Sequence, residues 1–180
     1  SVDVKALQDT VAALAEVDAT IIQSADMFWL IFGGCLVFFM QTGFAMLEVG
    51  SVNVKNTKNI LIKNVFDASI GALCWWFFGW GIALGTSNKP AGIIGTDGYF
   101  MGGDAWETND NKAMWFFQWA FAATTATIVS GAVAERASLG CYLAYSIVLT
   151  SLIYPVVNHW GWQGGWGGAW RDDNLLFGCG

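Results

Sequence analysis

The sequence has 180 residues, of which 55% are hydrophobic and 12% charged, with a formal net charge of −6. A water-soluble domain carries about twice that share of charged residues, so the composition excludes a chain that meets water over most of its surface. It also excludes a nucleic-acid binder, which would need a basic patch.

Residues 1–24 carry a weak helical period (Leu7, Val11, Leu14) among Asp3, Asp9, Glu16 and Asp18, which predicts a short amphipathic helix outside the membrane. The first residue is Ser1, so the start reads as processed or incomplete. A helix rises about 1.5 Å per residue and needs about 20 apolar residues to cross a hydrocarbon core about 30 Å thick. Uncharged runs of that length predict four spans, at about 27–49, 60–86, 113–134 and 138–159. The fourth should end near His159, before a glycine-rich loop (Gly161, Gly164, Gly165). None of these runs is a cleavable signal, since the first begins too late and no basic segment precedes it. The expected class is an all-α integral membrane protein.

Four alternating spans put the N-terminus, the 88–112 connection and the segment after His159 on one side. Near the span ends, Lys55, Lys58, Lys63 and Arg136 lie on the other side, against Lys89, Lys112 and Arg171 on the first. That balance predicts a non-cytoplasmic N-terminus. All eleven tryptophans fall on the N-terminal side of this topology, as do eleven of the fourteen acids. An interfacial belt of indole rings explains one such row, yet a belt should appear at both interfaces, so the asymmetry suggests a second task for some of them.

Cys35, Cys74 and Cys141 fall inside spans without metal-ligand spacing and read as packing residues, and Cys179 is too near the end to interpret. No nucleophile, base and orienting group stand together, and no cofactor motif appears, so the sequence is not read as an enzyme. Lys63 and Asp67 are four apart within span two, which predicts a structural pair, as do Glu135 and Arg136. Gly81 and Gly85 predict close contact with a partner helix.

The stretch 33–67 contains GFAMLEVGSVNVKNTKNILIKN, followed by FQWAFA at 117–122, SGAVAER at 130–136 and YPVVNHWGW at 154–162. These segments, in this order, resemble the ammonium transporter family, and AWRDDNLLFG at 169–178 is similar to its plant-like and algal members. The resemblance covers residues 25–180 and implies the first part of that family's membrane domain, about four of eleven helices. It implies ammonium or ammonia as substrate, a lipid bilayer as surroundings and a trimer as the complete assembly. The plasma membrane is the expected location, with an organelle membrane as the alternative. By matching positions, Trp162 corresponds to an outer tryptophan that binds the cation, and Phe117 and Phe121 to rings near and at the gate. A ring face attracts a cation through its quadrupole, most strongly where water is excluded, which distinguishes ammonium recognition from a ring of carbonyls shared with potassium. His159, the single histidine, is expected to be hydrogen-bonded near the outer end of span four rather than a proton relay.

In the family the pore lies between two inverted halves of five helices, and the D-x-A-G-x-x-V-H segment that carries the first pore histidine is lacking here. Half a pore wall leaves polar groups facing hydrocarbon. Residues 1–180 by themselves are therefore expected not to conduct. Three readings follow: part of an ammonium transporter, a transport-incompetent structural subunit among other membrane subunits, and an ammonium sensor.

Overall fold

The computed structural model describes residues 4–85, 92–102 and 109–162. Four helices long and apolar enough to cross a membrane make up almost all of it. They are α1 (Val4–Ser51), α2 (Val54–Leu84), α3 (Asn109–Val133) and α4 (Leu139–Trp162). The expected segments 1–24 and 27–49 are one uninterrupted helix of 48 residues. No glycine or proline interrupts it before Gly33, so nothing stops the backbone ladder where the composition changes. The fourth helix continues past His159 to Trp162, which puts that indole on a helical turn. The glycine-rich segment, Trp106, Trp166, Trp170 and Cys179 lie outside the described residues.

α3 is central and packs against the other three helices. Its buried positions are Ala113, Ala120, Ala122, Ala123, Ala126, Thr124, Thr127 and Ser130. Small side chains let neighbouring backbones come close, which supplies the dispersion contact that holds helices together in lipid. Gly34 of α1 lies directly under Phe116 of α3, and Gly33 under Phe117. α2 and α4 each contain one π-helical turn, Trp75–Gly79 and Leu149–Ile153. A π turn inserts a residue and rotates the helix beyond it. The two turns pack against each other, and Trp75 meets Tyr154 with ring centroids 5.9 Å apart. Cys74 is half-buried and meets Thr150 of α4, as expected of a packing residue, whereas Cys35 and Cys141 are exposed in this chain.

Buried polar groups toward the end of the bundle away from the tryptophans are paired across helices. Asp67 is fully buried and accepts from the Tyr142 hydroxyl and from Ser146 Oγ at 2.7 Å. Glu48 accepts from Ser130 Oγ and from Asn64 Nδ2 at 3.0 Å. The expected Lys63–Asp67 pair does not form as a direct contact. Lys63 Nζ instead donates to Ala137 O at 3.5 Å and lies 4.8 Å from the Tyr142 ring centroid. The spacing put the two on one face, but α4 brings two hydroxyl donors to Asp67 and a ring to Lys63, whose ammonium donates to the connection before α4.

Gly81 and Gly85 do serve close approach, although what approaches is a loop of this chain and not a helix. A Cβ on Gly81 would lie 2.7 Å from the Tyr99 ring, and one on Gly85 2.5 Å from Asp97 O. Gly95 donates to Ile82 O at 2.9 Å, and a Cβ there would lie 2.2 Å from Gly81 O. Because the clash is with backbone, Gly95→Ala should cost about 1–3 kcal/mol, read as a lower melting temperature in detergent. Gly43→Ala, which has nothing within 4 Å of its Cβ, is the control and should be neutral or stabilising. Equal losses in both variants would show that the loop is not seated on α2.

At the opposite end Glu135 joins the two short connections. It accepts from Asn53 N at 2.9 Å and from Asn56 Nδ2 at 2.8 Å. These bonds to Asn53 and Asn56, and not one to its expected partner Arg136, are what hold its carboxylate. The Asn56 amide, then Asn53, hold its carboxyl below the ordinary value of 4.5. A depressed folded value means that the stabilisation is complete above the unfolded value and drains as pH falls through the folded one. Glu135→Gln should therefore lower stability near neutral pH, with the two proteins converging as pH falls well below 4.5. A constant offset down to low pH would show that the carboxylate charge does not matter.

Candidate cation-recognition site

Two helix faces meet at the tryptophan-rich end. On α3, Met114, Phe117, Gln118 and Phe121 recur at three- and four-residue spacing and so share one face. On α4, Tyr154, Asn158 and Trp162 recur every four residues. Between these faces lies a cavity of about 670 Å³, lined by Phe117, Phe121, Trp162, Gln118, Tyr154 and Met114, with Leu84 of α2 beside them. The three residues singled out by motif are thus brought to one cavity.

Phe117 and Phe121 meet edge to face, with centroids 5.0 Å apart and planes at 73°. Phe121 and Trp162 are exposed, at 37% and 50%, and Phe117 is half-buried. Trp162 is helical, so its backbone position is fixed by α4. α4 is itself fixed by His159, whose fully buried ring donates from Nδ1 to Ala83 O at 3.0 Å, the carbonyl being able only to accept. The hydrogen bond expected for His159 is present, but the ring sits between α4 and α2 rather than at an interface. His159 does not line the cavity.

Sequence reasoning did not single out the polar floor of this cavity. Gln118 Oε1 accepts from Asn158 Nδ2 at 3.0 Å and from the Tyr154 hydroxyl at 3.4 Å. The four-residue spacing of Tyr154, Asn158 and Trp162 was the available signal, together with Gln118 three residues before Phe121. Among the described residues no charged side chain lines the cavity, which offers ring faces, the Gln118 amide and one phenol. Such a lining stabilises a small cation by cation–π contact and hydrogen-bond acceptors without a competing ion pair.

The model of the Ammonium Transporter Family matches residues 27–173. Ammonium transporter Amt2 of Archaeoglobus fulgidus is 44% identical over 141 residues, covering 78% of this chain and 30% of that protein. Ammonium transporter 1 member 3 of Solanum lycopersicum is 42% identical over 166 residues, covering 91% and 35%. A solved structure described as a Sensor Amt Protein superposes with a TM-score of 0.70 at 34% identity, over 84% of this chain and 35% of that one. The chain spans about a third of the length of the curated relatives it matches. With a family model over most of its residues, and relatives above 40% identical, this chain belongs to the ammonium transporter family.

Proposed function

We propose that this chain supplies the outer recognition wall of a transmembrane ammonium pathway, and that its work is transport rather than catalysis. The observation that carries the reading is the convergence of Phe117, Phe121 and Trp162 on one uncharged cavity at the tryptophan-rich end. Trp162 holds the cation against its ring face, and the Phe117–Phe121 pair lies next along α3 as the gate. Gln118, Asn158 and Tyr154 keep the polar side of the cavity in register.

The same reading places residues 1–24 outside the membrane and the N-terminus on the non-cytoplasmic side, with the plasma membrane as the location. It takes the assembled protein to be a trimer in which copies of this chain are neighbours. The test is a flux measurement. A protein of the family's full length carrying these residues, reconstituted in liposomes, should give an ammonium-dependent current or internal pH change that saturates and that potassium does not reproduce. Absence of such flux, with the protein folded and inserted, favours a structural subunit and overturns the reading.

A further inference from the structure

We propose that residues 4–22 of α1 form a coiled coil with the same segment of neighbouring copies of this chain, standing above the membrane. The inference rests on the extramembrane placement of residues 1–24 given above.

The rest of the described bundle reaches only part of the way along α1. Gln23 Nε2 donates to Asp110 Oδ2 at 2.7 Å, one residue past the start of α3. Residues 4–22 project beyond that level by about 28 Å at 1.5 Å per residue, and every one of them is exposed. A lone helix of that length is marginal in water, and an apolar stripe on it needs cover.

The stripe has a heptad register. Val4 and Val11 take the first core position, and Leu7, Leu14 and Ile21 the second, each between 53% and 65% exposed. β-branched residues at the first position and leucine at the second are what parallel self-association uses. The flanking positions that face a neighbour hold Gln8, Thr10, Ala15, Val17, Ile22 and Ser24, none charged, so identical copies meet without repulsion there. Asp9 and Glu16 fall on the outer side of the same helix. Asp18 alone interrupts the core positions, at a cost in stability.

Two further observations select a second copy over other cover. The register carried down α1 puts the buried Gly34, Gln41 and Glu48 outside both the core and the flanking positions, with only Ala45 of the buried residues falling beside the seam. The seam therefore faces away from α3. And α1 has no break between Val4 and Ser51, so the segment rises along the axis of the span and cannot lie flat on the bilayer.

The test is site-directed crosslinking in native membranes, on the full chain with its native cysteines replaced. Leu7→Cys and Leu14→Cys should crosslink to species of integral multiples of the chain's mass, at least about fivefold more than Asp9→Cys and Glu16→Cys, because only core positions face each other. Adding Leu14→Glu should abolish crosslinking through Leu7→Cys. Equal crosslinking at core and outer positions, or adducts with a protein of another mass, would each overturn the second-copy assignment. Labelling of Glu16→Cys by a membrane-impermeant maleimide separates this outcome from failure of the extramembrane placement. If Glu16→Cys stays unlabelled until the membrane is opened, the placement is wrong and the inference falls with it.

Discussion

Replacing Trp162 by leucine in a full-length protein should raise the half-saturation for ammonium roughly tenfold or more. A cation–π contact reaches about 2 kcal/mol when water is excluded, and about 1.4 kcal/mol is one decade of affinity. Leucine keeps an apolar side chain at the same helical position, so the loss reports the ring face rather than the fold. Trp162→Phe, which keeps a weaker quadrupole, should fall between the two. Trp29→Leu tests whether any tryptophan at this end would do, since Trp29 packs with Phe28 and Phe32 on α1, away from the cavity. It should leave half-saturation unchanged. If Trp162→Leu and Trp29→Leu behave alike, Trp162 belongs to an interfacial belt and the recognition assignment is lost.

The spans were legible because hydropathy over twenty residues is a long signal that packing seldom overrides. Their ends were less so: α1 continues to Val4 and α4 to Trp162, since helix propensity does not stop where the apolar run does. The three site residues could not have been chosen by composition, with thirteen phenylalanines and eleven tryptophans in the chain. They came from motif position, and their shared cavity came from the structure. Gln118 and Asn158 were hidden because an amide inside a span reads as a packing group until its partner on another helix is known. The π turns were illegible, as an inserted residue leaves no mark on hydropathy. Gly81 and Gly85 were correctly read as needing close contact, and only the folded loop reveals that Asp97 and Tyr99 supply it.

Asp67→Ala should be the most damaging single change in the helical core, costing about 3–5 kcal/mol and leaving little folded protein in detergent. The side chain is wholly buried and is the acceptor for two hydroxyls of α4, 75 and 79 residues further along the chain. Its removal leaves Tyr142 and Ser146 with donors that have no water to turn to, and it withdraws negative charge from Lys63, which is only 6% exposed. Each orphaned donor costs about 1–3 kcal/mol in a buried site. Asp67→Asn should be milder, because the amide oxygen still accepts while its NH₂ group has no acceptor prepared. Tyr142→Phe removes one donor together with its need, so it should cost less than either. The ordering is the diagnostic: Ala worst, then Asn, then Tyr142→Phe, by melting temperature in one detergent. The triple variant Asp67→Leu with Tyr142→Phe and Ser146→Ala is the counter-test, since replacing buried polar groups together with their partners by apolar ones is often close to neutral. Recovery of much of the Asp67→Ala loss in that variant would show that the cost lies in unpaired groups. An Asp67→Ala protein as stable as the parent would mean that α2 and α4 are held by the packing of Trp75 against Tyr154 instead.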